Sequence, residues 1–270
     1  MTGASRASLA EAKDRLTEVL AGDADPGQVG DELFAVTGLL DSEAGLRRML
    51  SDPSRDARAK TGLVRELLGS RVSSATLDVT STLVSERWSQ PSDLVDATEQ
   101  LAMLAVIEMA EREGKLDELE DELFRFSRVV NAEPELRAAL SSPFFPAERK
   151  RELLGALLGG KVTEATLRLV TQAAVQARGR SLDVSLEESA RLAAERRERL
   201  MAEVHVAVAL TQEQRRRLAA ALAAAYGRDV YLNIVLDPKV AGGISVEIQG
   251  ELIDGTVAGR LAEVRRRMAA

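Results

Sequence analysis

Two stretches of one chain decide its fold: residues 31–77, DELFAVTGLLDSEAGLRRMLSDPSRDARAKTGLVRELLGSRVSSATL, and residues 121–167, DELFRFSRVVNAEPELRAALSSPFFPAERKRELLGALLGGKVTEATL. Laid over each other at a shift of 90 residues and without a gap, they match Asp31 to Phe34 with Asp121 to Phe124, Glu43 with Glu133, Leu46 with Leu136, Leu50 with Leu140, Ser51 with Ser141 and Pro53 with Pro143. The register holds through Lys60 and Lys150, Leu63 and Leu153, Leu67-Leu68-Gly69 and Leu157-Leu158-Gly159, and Ala75-Thr76-Leu77 and Ala165-Thr166-Leu167. Similarity at a fixed period marks a duplicated unit. The chain carries one domain twice.

Each copy reads as helical. Apolar residues recur three and four apart, as at Leu63, Leu67 and Leu68, and the breaks fall at Gly69, Gly114, Gly159-Gly160 and before Pro53 and Pro143. Several helices in about 90 residues make a small bundle. A charged stretch from Leu186 to Glu203 continues the second copy as a long helix. The period then changes: Val204, Val206 and Val208 alternate with His205, Ala207 and Ala209, as on a strand with one buried face. Thr211 and Gln214 form a capping box that opens a helix through Tyr226, closed by Gly227. Strands follow at Tyr231–Leu236 and Ile244–Gln249, then Gly250 turns into Glu251, Leu252 and Ile253, and Asp254 caps a last helix ending in Arg265 to Arg267. The expected fold is mainly α with a C-terminal α/β part: two tandem helical bundles, 1–97 and 98–199, followed by a small α/β domain, 200–270.

Composition narrows the function. The 270 residues carry 36 Lys and Arg against 43 Asp and Glu, a net charge of −7, with 45% apolar and 29% charged residues. That is ordinary for a packed globular chain. With no cysteine and His205 as the one histidine, thiolate metal sites, cysteine nucleophiles and histidine pairs are excluded by counting. Aromatics at 3% and an acidic balance oppose nucleic-acid binding. The densest apolar run, Leu101 to Ala110, is half of the ~20 residues a membrane helix needs and contains Glu108, so direct membrane insertion is not expected. The first twelve residues lack an apolar run, which reads against a secretory signal and gives the bacterial cytoplasm as the expected compartment.

The motifs that resemble chemistry have plainer readings. Gly155 to Val162, GALLGGKV, nearly spells a phosphate-binding loop, yet Val162 stands where a hydroxyl is needed and a helix precedes the first glycine. It reads as a helix terminus. His205 alternates with strand valines and reads as a solvated ring, and Trp88 at a helix end as a packing residue. The runs Arg215 to Arg217 and Arg265 to Arg267 read as solvated helix faces.

A difference between the copies says more. Before Gly114, Met103, Val106, Ile107 and Ala110 form one stripe, while Leu101 and Leu104 make a second apolar surface. The helix expected from Glu164 to Arg178 has Leu167, Val170, Ala174 and Ala177 on one face, with Leu169 and Ala173 on another. Shifted back by 90, Leu101 and Leu104 become Glu11 and Asp14, and Val170 and Ala177 become Thr80 and Arg87. Extra apolar surface confined to the second copy suits a groove for an amphipathic helix; two helices central in the bundle and covered by neighbours in the chain give the same pattern.

Beyond residue 200 the chain resembles a known family. Leu232-Asn233, Asp237-Pro238, Gly242-Gly243-Ile244, Ile253 to Val257 and Gly259-Arg260-Leu261, within Leu210 to Met268, resemble the C-terminal part of the delta subunit of the rotary ATP synthase, the oligomycin-sensitivity-conferring protein family. Residues from about Thr98 to Ser189, including Gly179 to Leu182, resemble its N-terminal six-helix domain. The first copy is similar to an enlarged form of some high-GC bacteria, where a related form is fused to a membrane-anchored stalk helix. The resemblance implies a non-catalytic stator subunit without cofactor or metal, peripheral on the cytoplasmic face of the bacterial cell membrane. Its helical domain would bind N-terminal helices of the alpha subunits and its C-terminal domain the b-subunit stalk. In the family the partner helix lies against the first and fifth helices of the domain, which carries the expected contact onto Leu101, Leu104, Leu167, Val170, Ala174 and Ala177. The family positions Gly242, Gly243 and Gly255 are expected in turns and Asp254 as a helix cap, with Gly259 and Arg260 completing the structural signature. A helical-repeat scaffold of another cytoplasmic assembly is the alternative.

Overall fold

A computed structural model describes residues 3–254, apart from 143, 199, 228, 239, 241, 249 and 250. The first five helices are α1 (Gly3–Leu20), α2 (Pro26–Ser42), α3 (Ala44–Ser51), α4 (Ala57–Leu68) and α5 (Ser74–Ser85). They return 90 residues later as α6 (Pro91–Arg112), α7 (Leu116–Ala132), α8 (Pro134–Ser141), α9 (Ala147–Leu158) and α10 (Glu164–Val175). Then comes α11 (Leu182–Glu198), which the same shift sets over residues 92–108 of α6. So α6 is at once the last helix of the first copy and the first helix of the second.

Side chains repeat with the helices. Ser73 and Thr163 cap α5 and α10, their hydroxyls accepting from the amides of Thr76 and Thr166. Behind each cap stands a carboxylate from the second helix of its copy. Glu32 accepts from the Ser73 amide at 2.9 Å and hydroxyl at 2.7 Å, and Glu122 accepts from the Thr163 amide at 2.9 Å and hydroxyl at 2.8 Å. Lys60 and Lys150 are both buried, and burial holds both below the ordinary lysine range. Lys150 Nζ donates to the Ala174 carbonyl at 2.8 Å, near the end of α10.

One apolar core runs through this helical part, from Leu9 on α1 to Ala193 on α11. Met1–Ala194 is accordingly one compact unit and Glu195–Ala270 a second. The expected seam at 97/98 falls inside α6, with Ala97 fully buried. Gly159 ends α9 as the plain reading of GALLGGKV required. Trp88 is buried, its indole donating to the Leu83 carbonyl at 2.7 Å.

The second unit holds β1 (Leu200–Val206), α12 (Gln212–Tyr226), β2 (Val230–Leu236), β3 (Ile244–Ile248) and β4 (Glu251–Asp254). The sheet order is β2-β1-β3-β4, with β1 parallel to β2 through the α12 crossover and the other pairs antiparallel. Ala202, Val204 and Val206 face Val246 and Ile248 in a core closed by Leu222. The capping box is present: Thr211 accepts from the Gln214 amide at 3.2 Å while the Gln214 side chain accepts from the Thr211 amide at 2.8 Å.

Two boundaries on either side of β1 differ from expectation. The helix expected through Glu203 stops at Glu198, because the ladder with β2 already begins at Leu200, opposite Val230. Val208, expected in the strand's alternation, lies past its end and is 76% exposed. The last helix expected after Asp254, with Gly255, Gly259 and Arg260, lies outside the described residues.

Candidate partner-binding site

The site expected from sequence combines α6 and α10. Pro91 at the first position and Asp93 in the first turn open α6, and a run of helix-favouring alanines, leucines and methionines carries it to Arg112. Leu101 is fully buried, as are Val170 and Ala174 on α10, while Leu104 and Leu167 are half-buried. Ala177 is half-buried but does not belong to α10. The helix ends at Val175, Gln176 leaves helical geometry, and Arg178 adopts a left-handed backbone with φ 48°. There Arg178 forms a buried pair with Glu99 at 2.6 Å and also reaches the more exposed Asp96 at 2.8 Å and Asp41 at 3.4 Å, and Arg180 also pairs with Glu99. Burial alone would lower the Arg178 pKa, but Glu99 and Asp96 outweigh it and hold the guanidinium above its ordinary range.

Against the side of α6 that carries Ala102, Val106 and Met109 lies α2, from the first copy. A Cβ on Gly30 would sit 2.6 Å from Val106 Cγ2 and 3.3 Å from the Ala102 carbonyl oxygen, so the two helices meet at a glycine that has no room for a side chain. A Cβ on Gly27 would meet Met109 Sδ at 2.8 Å and one on Gly38 would meet Gln176 Nε2 at 2.8 Å, each the far end of a flexible chain. Along its flank toward α10, α2 is tied at both ends. Arg168 pairs with Asp31 and with Glu164 at 2.6 Å, and donates to the Gly27 carbonyl at 3.2 Å; Arg178 takes Asp41 at the other end. Between these ties the seam opens into a groove of about 580 Å³, bounded by Phe34, Ala35 and Gly38 on α2 and by Leu167, Thr171 and Val175 on α10.

Sequence reasoning paired α6 with α10 and did not anticipate that α2 packs against both. The signal was nonetheless in the repeat. At the shift of 90, Gly27, Gly30 and Gly38 become Asp117, Glu120 and Arg128, and Arg168 and Arg178 become Asp78 and Trp88. The glycines of one copy and the arginines of the other are the two halves of this contact. The effect on the equivalent phenylalanines is large: Phe34 is 7% exposed and Phe124 on α7 is 59% exposed.

In the second unit Gly242 and Gly243 have φ of 71° and 86°, the left-handed geometry expected of turn glycines, and Asp254 ends β4 opposite Ser245. His205 is half-buried with Nε2 2.9 Å from Glu203. Among the described residues no group of three or more His, Asp or Glu could hold a metal ion, and no helix is long and apolar enough to cross a membrane.

The family model for the ATP synthase delta (OSCP) subunit matches residues 102–268. The ATP synthase subunit delta of Streptomyces griseus is 49% identical over 270 residues, covering 100% of both chains, and that of Thermobifida fusca is 49% identical over 269 residues with the same coverage. The subunit delta of Acidothermus cellulolyticus is 43% identical over 273 residues, again across 100% of each chain. A chain of the Toxoplasma gondii mitochondrial ATP synthase hexamer is 16% identical over 62% of this chain and 95% of that one; its TM-score of 0.29 is too low to carry an argument.

Proposed function

Since this chain belongs to the ATP synthase delta (OSCP) subunit family, we propose that it joins the catalytic head to the membrane sector by holding alpha-subunit N-terminal helices on its helical part and the b-subunit stalk on its C-terminal unit. It is a stator subunit and does no chemistry of its own. Its task is mechanical, because rotation of a central shaft yields ATP only if the surrounding head is kept from turning with it. Its place is peripheral, on the cytoplasmic face of the cell membrane. The three-part division at 97/98 and 199/200 becomes a division of labour: a bracing first copy, a helix-binding second copy and a stalk-binding end.

One observation carries the alpha-helix contact. The second copy is apolar at Leu101, Leu104 and Val170, where the first copy has Glu11, Asp14 and Thr80. Apolar surface suits a stator, since its burial is worth ~25 cal/mol per Å² and is not screened by salt as charge pairs are. Of the six residues proposed for the contact, Leu104 and Leu167 are half-buried in the free chain and meet an incoming helix first. Leu101, Val170 and Ala174 are buried in the free chain and join only if their neighbours move, and Ala177 contributes from the segment after α10. A synthetic alpha N-terminal peptide is expected to bind the chain, and Leu104→Glu or Leu167→Glu to weaken it about tenfold with circular dichroism unchanged. Equal affinity for both variants overturns the contact; failure of the chain to co-purify with the catalytic head overturns the joining role.

A further inference from the structure

Among the described residues, the sheet of the second unit has two edges of unequal character. β4 is four residues long and carries Glu251 and Asp254 at its ends, while β2 runs for seven residues, VYLNIVL, without a charge or a proline. Charged side chains, prolines and shortness are devices that keep a sheet edge from pairing with another chain. β4 has two of them and β2 has none.

Which groups the open edge offers follows from the ladder. The Asp237 amide donates to the Val206 carbonyl at 2.9 Å, in the register that sets Leu236 opposite Val206. Backbone groups alternate sides along a strand, so Asn233 and Val235 turn theirs toward β1, and Val230, Leu232, Ile234 and Leu236 turn theirs outward. Among the described residues these outward groups have no hydrogen-bond partner. The side chains of Leu232 and Ile234 pack against the core that α12 closes, and Leu236, on the same face at the strand's end, is 61% exposed. A further strand laid along β2 continues that apolar face and covers Leu236.

We propose that the outer edge of β2 receives an extended segment of another subunit, which joins the sheet as a strand and sets apolar side chains beside Leu232, Ile234 and Leu236. A second copy of this chain fits less well. Joined along the edge alone, two copies bury a strip about 23 Å long and one strand wide, short of the ~1,200 Å² that specific pairs of folded proteins bury. A segment that continues into a larger partner does not need that area at the strand itself. Recognition by a strand goes beyond a stalk-binding role for this unit, and it rests on the family assignment only for the source of the segment.

Amide exchange, read residue by residue in the full-length chain and in the assembled synthase, tests the edge. In the free chain the amides of Leu232, Ile234 and Leu236 should exchange at least about a hundredfold faster than those of Asn233 and Val235, and in the synthase they should slow to match them. Outward amides that are already slow in the dilute free chain, covered by its own residues, overturn the proposal. So does protection that appears only as the free chain is concentrated, the mark of a second copy, and so do outward amides that stay fast in the synthase. Ile234→Pro removes one outward donor, a change that an edge strand tolerates. With it the Leu232 and Leu236 amides should stay fast in the synthase, while Ile234→Val should behave as wild type; slowing in Ile234→Pro equal to wild type overturns the strand. If Ile234→Pro loses the melting transition of the second unit, Leu236→Lys, at an exposed position, carries the same expectation for Leu232 and Ile234. The chain has no cysteine, so a photo-cross-linker on Asn233→Cys, exposed on β2, identifies the added strand. A strand from a subunit other than b sinks the stalk-binding reading of this unit and leaves the receiving edge standing.

Discussion

At the scale of single residues, the duplicated carboxylates show how a long-range hydrogen bond fixes a bundle. Glu32 lies 41 residues from Ser73 in sequence, yet its oxygen serves the amide and hydroxyl that begin α5. Burial would raise its pKa, but hydrogen bonds from Ser73, Thr76 and Gln28 outweigh that and hold it below the ordinary glutamate range. A depressed carboxylate contributes stability that is present above its unfolded pKa and is lost as pH falls through the folded value. Glu32→Gln is therefore expected to cost about 1 kcal/mol near neutral pH. That deficit should shrink as urea titrations are repeated below the ordinary glutamate pKa. A deficit independent of pH means the charge is not what the cap uses. The match of Glu32 with Glu122 and of Thr76 with Thr166 is legible in the repeat as bare identities, but their partnership is not, since it closes only when the second and fifth helices of each copy have packed.

Between residues and the molecule stand the helices, where equal positions in the two copies carry unequal loads. Glycine inside a helix costs about 1 kcal/mol relative to alanine, so each one in α2 needs a reason that the free glycine of α4 lacks. A Cβ on Gly62 meets nothing within 4 Å, and Gly62→Ala should stabilise the chain by about 0.5–1 kcal/mol. Gly30→Ala should destabilise it by about 1–3 kcal/mol in the same thermal melts, since the branched Val106 and the backbone of α6 stand in the way. Gains at both positions would mean that α2 rides higher on α6 than described. Likewise Phe34→Ala is expected to cost about 3–5 kcal/mol and Phe124→Ala less than about 0.5 kcal/mol, despite their identical DELF setting. Local patterns made most elements legible: the capping box at Thr211 and the closing Gly227 mark α12 to the residue. The end of α10 was not legible, because Arg178 leaves the helix for acids 79 and 82 residues away in sequence, and no helical period records such a pull.

For the whole molecule, the 90-residue repeat announced two bundles, and the structure gives α6 to both of them. Which of two repeats will share a core depends on side chains meeting across the copies, as Gly30 meets Val106 and Asp41 meets Arg178, and periodicity within either copy carries none of that. A shared helix and one core have a thermodynamic consequence. Neither copy can melt without exposing apolar residues of the other, so Met1–Ala194 should unfold as one cooperative step despite its duplicated sequence. The second unit, with a separate core around Val204, Val246 and Leu222, is free to melt in a step of its own. Calorimetry of the full chain tests this through three substitutions. Phe34→Ala in the first copy and Leu154→Ala, fully buried on α9 in the second, should lower the same transition, each by about 2–5 kcal/mol. Thr211→Ala should move only the other, by about 1 kcal/mol. If Phe34→Ala and Leu154→Ala instead shift two different transitions, the copies are independent bundles and α6 is merely the rod between them.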